Sequence, residues 1–177
     1  EAINALEERT GKKFGDKSNP LLLSVRSGAA ISMPGMMTSI LNVGINPEIA
    51  EGLAEKTQNV WFAWDTYRRF VQNWAMSLGV SRDFFNRLMR EHKRKYGVKL
   101  KREFSGAEMK ELALLYRREV EKLGIHITDD PLEQLFKSIE FILNSWYHKK
   151  AVYYREIMEI AEEWGTAVIV QEMVFGN

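Results

Sequence analysis

The chain of 177 residues has the length of one ordinary domain, or of two small ones, and can bury a self-sufficient core. It contains no cysteine, which excludes disulfide scaffolds, cysteine-based zinc sites and thiol nucleophiles. With 25 basic against 24 acidic residues the net charge is +1, so no whole-chain field draws nucleic acid or anionic lipid, and the 45% hydrophobic content is that of a globular chain. No apolar run approaches the roughly 18 residues of a membrane span, and no signal-peptide pattern opens the chain. The sequence begins Glu-Ala-Ile without Met and stops at Phe-Gly-Asn, and it reads as a piece of something longer.

In chain order, Ile3 and Leu6 are spaced as on one short amphipathic helix over 1–9, closed by Thr10-Gly11. A polar stretch ends at the Asn19-Pro20 breaker, and LLLSVRS (21–27) reads as a buried strand. GAAISMPGMMTSI (28–40) reads as a loop with Gly28, Pro34 and Gly35, carrying exposed methionines Met36 and Met37. From Asn46-Pro47-Glu48, a capping side chain followed by proline and an acid, the pattern turns helical. A helix over 59–77 carries Trp61, Trp64, Tyr67, Phe70, Val71 and Trp74 on one stripe, which predicts core. Further helices run from Ser81 to Gly97, from the capping box Ser105/Glu108 to Gly124, from Asp130-Pro131 to about Trp146, and over 149–163. After Gly165, TAVIVQEMV is β-branched and strand-like.

One strand at the front and one at the back, with helices between, cannot form a stable sheet by themselves. Either their partner strands lie outside the chain, or they pair with each other beneath a helical insertion. Both options make the helices an excursion from an α/β or α+β body. The segment 21–42 carries the most specific chemistry: a strand delivers Arg26, whose planar fork of donors suits phosphate oxygens, into a Gly/Pro loop rich in backbone N–H. It is not a Walker loop, because no Lys-Ser/Thr follows the glycines. Taken by spacing alone, the plainer alternative is an edge arginine in a salt bridge beside a connecting loop.

SVRSGAAISMPGMM closely resembles the nucleotide-binding signature of the pyruvate, phosphate dikinase family, and the likeness continues through TSILNVGIN, FAWDTYRRFVQ, KKAVYYREI and EWGTAVIVQEMVFGN, with LEERTGKKFGD at the front. The resemblance implies an α+β fold: a mainly helical insert subdomain flanked by strands of an ATP-grasp-type nucleotide-binding domain. It divides the chain into 1–45 (strand and phosphate-contacting loop), 46–163 (helical insert) and 164–177 (returning strand and start of the adenine-side segment). It implies the interconversion of ATP, phosphate and pyruvate with AMP, pyrophosphate and phosphoenolpyruvate, through a phosphohistidine on another domain. Arg26 is the catalytic and phosphate-contacting position by this likeness, and Gly35 sits in the covering loop with Ser32, Met33, Pro34, Met36, Met37 and Thr38. Gln171, Glu172, Met173 and Val174 are the adenine-edge candidates, by fold analogy.

Pyruvate, water dikinase is the alternative within the superfamily, but its loop resembles Ser-Phe-Ala-Gly-Gln-Gln, whereas this chain has Ser32-Met33-Pro34-Gly35-Met36-Met37. Two departures from the family stand out: Thr38-Ser39 where Asp-Thr is common, and Lys149-Lys150 where Pro-Arg is common, the latter replacing a forked cation with a point charge. His92, His126 and His148 match no phosphohistidine or metal motif, and Asp130 is better explained as a helix cap than as a cation ligand. No metal ligand is therefore assigned; Mg²⁺ is expected with ATP, held by acids outside this chain, and an early nucleotide-site lysine is also expected outside it. The expected partners are ATP and the remaining domains of the same enzyme: the metal-binding half, the phosphohistidine domain and the pyruvate/phosphoenolpyruvate domain. The parent is expected to be a cytoplasmic homo-oligomer, and the isolated chain to be inactive with weak nucleotide affinity. The rival from another class is a helical interaction module, carried by the basic run RLMREHKRKYGVKLKR (87–102). Its plainer explanation is a solvated face balanced by Glu103, Glu108 and Glu111, and no nucleic-acid partner is expected.

Overall fold

The computed structural model describes residues 1–175. The last two positions of the predicted 164–177 segment, Gly176 and Asn177, lie outside them. The elements are α1 (Ala2–Thr10), β1 (Leu23–Ser27), β2 (Ser39–Val43), α2 (Pro47–Thr57), α3 (Val60–Ser77), α4 (Arg82–Tyr96), a 3₁₀ turn (Lys101–Glu103), α5 (Gly106–Glu121), α6 (Pro131–Ser145), α7 (Lys149–Ile157) and β3 (Val168–Glu172). The fold is α+β, as the sequence predicts.

Of the two options for the strands, the structure takes the second. β1 and β3, near opposite ends of the chain, pair directly and antiparallel, with Val25 opposite Val170 and Arg26 opposite Ile169. A third strand was hidden in the sequence: β2 pairs with the other edge of β1, giving the order β2-β1-β3. Its period is broken because Asn42 adopts φ 62 and makes a bulge between the Leu23–Val43 and Val25–Ile40 pairs. Alternation then sorts the sheet into two faces. Leu23, Val25 and Ile40 are fully buried in the core, while Arg26 and Ser39 stand on the opposite, open face.

The helices begin where their caps allow. Asn46 Oδ1 accepts from Ile49 N at 2.8 Å, and Asn59 Oδ1 from Phe62 N at 2.9 Å. Ser105 and Glu108 form the predicted reciprocal box, and Asp130 Oδ1 caps Leu132 N at 2.8 Å. On α3, Trp64, Tyr67, Phe70, Val71 and Trp74 are buried as predicted, in one cluster that also takes in the strand residues. The last helix is shorter than predicted. It stops at Ile157 because Glu159 takes φ 53 and Ile160 N turns back to Arg155 O at 2.9 Å, a left-handed cap made without glycine.

Two buried polar arrangements join the layers. Gln134 is fully buried on α6: its Oε1 accepts from Gly44 N at 2.8 Å, and its Nε2 donates to Ile45 O at 2.8 Å and Thr128 O at 2.9 Å. Asp65, 2% exposed on α3, receives Arg68 Nε at 2.8 Å, Arg69 Nε at 2.9 Å and Lys101 Nζ at 2.9 Å. Burial alone would raise the Asp65 pKa, but Arg68 and Lys101 outweigh it and hold the carboxyl below its ordinary value.

Gln134→Leu strands three buried backbone groups, and the expected loss is about 2–5 kcal/mol of unfolding free energy, measured by urea denaturation. For Asp65 the depressed folded pKa means that its contribution is present at neutral pH and is lost as pH falls through the folded value. Asp65→Asn is therefore less stable than the wild type at pH 7, and thermal melts should show this gap narrowing below about pH 4.

Candidate anion site on the open face of the sheet

The carboxyl end of β1 opens into a cleft of about 500 Å³, lined by Arg26 on the strand, Ile169 on β3 and the loop that follows β1. Arg26 is exposed, and its Nε donates to Gln171 Oε1 at 3.1 Å, which aims the guanidinium along the open face. No acidic side chain lines this cleft among the described residues. Gly28 fits because its Cα lies against Ile169; a Cβ there would come within 2.8 Å of the Ile169 side chain.

The loop is anchored at a few points and otherwise uncommitted. Ser27 Oγ bonds Thr166 Oγ1 at 2.7 Å, Gly28 N donates to Ala167 O at 2.8 Å, and Thr38 N donates to Ser145 Oγ at 3.3 Å. Lys150 Nζ donates to Gly35 O at 3.1 Å, a single-point contact. Among the described residues, the N–H groups of Ala30, Ile31, Ser32, Met33, Gly35 and Met37 have no protein acceptor. The residues that carry these donors line, together with Arg26, a cleft without an acidic side chain, a composition that suits an anion.

The predicted site residues are not all gathered there. Arg26, Ser32, Met33, Pro34, Gly35 and Met37 line the cleft, and Gln171 joins them through Arg26. The loop methionines are not exposed as the sequence suggests. Met33 is buried against Trp146 and Ile160, and Met36 and Met37 are half-buried beside them. Thr38 is held at the rim by Ser145. The Glu172 side chain turns to the other face and pairs with Lys12 at 2.6 Å. Met173 and Val174 lie at the opposite end of the open face, where they line a second cleft of about 300 Å³ with Leu41, Trp61 and Phe62.

The support beneath the loop was not legible as such, because Ser145, Trp146, Lys150 and Arg155 lie far from it in the chain. The only trace of it in the sequence is the KKAVYYREI likeness. No three His, Asp or Glu side chains converge among the described residues, and no acid lines the cleft. The basic run is balanced differently from the expectation. Glu111 pairs with Lys95, whereas Glu103 accepts from Lys99 N and Leu100 N, and Glu108 from Ser105 N. Among the described residues, no helix is long and apolar enough to cross a membrane.

The family described as pyruvate phosphate dikinase, AMP/ATP-binding domain, matches residues 1–177. The chain is 43% identical over 180 residues to pyruvate, phosphate dikinase of Clostridium symbiosum, 45% over 177 residues to that of Giardia intestinalis, and 42% over 179 residues to the chloroplastic enzyme of Mesembryanthemum crystallinum. These matches take in 99–100% of the chain but 19–21% of the relatives, so it spans about a fifth of their length.

Gly35 has φ +73, and no atom lies within 4 Å of the place a Cβ would take, so its requirement is conformational rather than steric. Gly35→Val should cost about 1–2 kcal/mol locally. Hydrogen exchange should quicken at Met36 N, which donates to Met33 O at 3.1 Å, while amides of α3 keep their protection.

Proposed function

The chain belongs to the pyruvate phosphate dikinase AMP/ATP-binding domain family, and from that premise we propose that it supplies the phosphate-contacting part of the ATP site of a pyruvate, phosphate dikinase. The single observation that carries this reading is the cleft itself: one arginine and a run of uncommitted backbone N–H groups around a space with no acid. The reaction interconverts ATP, phosphate and pyruvate with AMP, pyrophosphate and phosphoenolpyruvate, by way of a phosphohistidine on another domain. The names of the relatives favour it over the pyruvate, water dikinase reaction.

Phosphoryl transfer asks a protein mainly for positioning and for neutralisation of charge on the transferring group. Arg26, aimed by Gln171, supplies a fixed forked cation, and the loop N–H groups from Ala30 to Met37 supply preorganised dipoles that need no reorientation during the step. The nucleotide then lies along the open face, with its base toward Met173 and Val174. That orientation is supported by the second cleft, whose Leu41, Trp61 and Phe62 offer apolar surface to a purine. Mg²⁺ accompanies ATP in this reaction and would screen its phosphates, but these residues do not fit a metal site and no step runs through it. The division into 1–45, 46–163 and 164–177, the cytoplasmic setting, the homo-oligomeric parent and the partnership with its other domains belong to the same proposal.

Arg26→Ala should weaken binding of a non-hydrolysable ATP analogue to this chain by about 10–100-fold, as expected for loss of a charge-assisted hydrogen-bond donor, measured by isothermal titration. In the full-length protein, AMP formation should fall by about 10²–10³. Near-normal affinity and turnover would remove Arg26 from the site.

A further inference from the structure

Beneath the loop lies a buried cation that the phosphate site described above does not use. Arg155 on α7 is 3% exposed. Its guanidinium lies 4.1 Å from the centroid of the Trp146 ring, and Nη1 donates to Trp146 O at 2.6 Å. Its Nε is buried and has no partner among the described residues. Among those residues, no carboxylate forms an ion pair with it. The contrast with the other buried arginine is direct, since Arg68 meets Asp65 at 2.7 Å. A guanidinium cannot shed its proton, so burying one without a countercharge is unfavourable unless something else supplies that charge.

The packing points to the source. Trp146, on which Arg155 stacks, forms a satellite core with Met33, and Met33 lines the cleft. A layer of apolar side chains therefore separates the buried charge from the anion site, and such a layer screens far less than water. We propose that Arg155 is a positioning residue for the polyphosphate: its missing countercharge is the phosphate chain held by Arg26 and the loop, attracted through the Trp146–Met33 layer. This assignment rests on the phosphate reading of the cleft.

The test measures dissociation constants of ATP, AMP and adenosine for the wild type, Arg155→Met, Arg155→Lys and Arg26→Ala, each with its melting temperature. Arg155→Met should weaken ATP by about tenfold and AMP by less, while leaving adenosine within about twofold, because the effect scales with ligand charge. Arg155→Lys keeps the charge but gives up the flat stack, and should hold ATP within about threefold of the wild type. A residue that only props Trp146 would lose ATP and adenosine together and would not be rescued by lysine; either result overturns the proposal. If Arg155→Met does not fold, Arg155→Lys decides alone. A preserved preference for ATP over adenosine upholds the proposal, and a lost preference in a folded protein overturns it. Should Arg26→Ala keep full ATP affinity, the phosphate reading itself has failed. If Arg26→Ala loses it while Arg155→Met does not, only the role of Arg155 falls.

Discussion

Strand β1 is paired on both edges, and the rest of the structure depends on that. Its antiparallel partners come from opposite ends of the chain, so the helices from α2 to α7 form one long closed excursion between them. The two-residue period of a strand then does two things at once. Leu23 and Val25 seal one face against the helices, and Arg26 is delivered to the other. A one-residue slip in either pairing would bury the arginine and expose the valine. Packing of the core therefore fixes the register that aims the Arg26 side chain.

The parts legible in the sequence were those set by local chemistry. Capping residues at Asn46, Ser105 and Asp130 announced their helices, and the aromatic period of α3 announced the core. β2 was not legible, because five residues with a bulge at Asn42 do not keep a strand's alternation. The early end of α7 was hidden because a left-handed Glu159 does what glycine normally signals. The candidate site divided along the same line. Arg26 and the loop stand out in sequence because glycine, proline and arginine carry their own backbone and charge requirements. The shelf under the loop, built from Ser145, Trp146, Lys150 and Arg155, exists only through tertiary contact, as does the separation of Glu172 from its neighbours.

The distribution of charge also accords with the proposal that a nearly neutral chain serves an anionic ligand. Acids are spent locally: Asp65 on three cations, Glu103 and Glu108 on backbone N–H groups, Asp129 on Arg117. The cleft at the end of β1 is left with an arginine, open N–H groups and no carboxylate among the described residues that line it. On the proposed reading, recognition there comes from placement rather than from a basic surface, which sets it apart from the basic exterior of α4.

The most direct test of phosphate binding at the end of β1 is a titration of the isotope-labelled chain with a non-hydrolysable ATP analogue, followed by NMR at every backbone amide and at arginine Nε. The largest shift changes are expected at Arg26 Nε and at the amides from Gly28 to Thr38, with α4 silent. Changes concentrated on the basic face of α4, with the loop unmoved, would contradict the account.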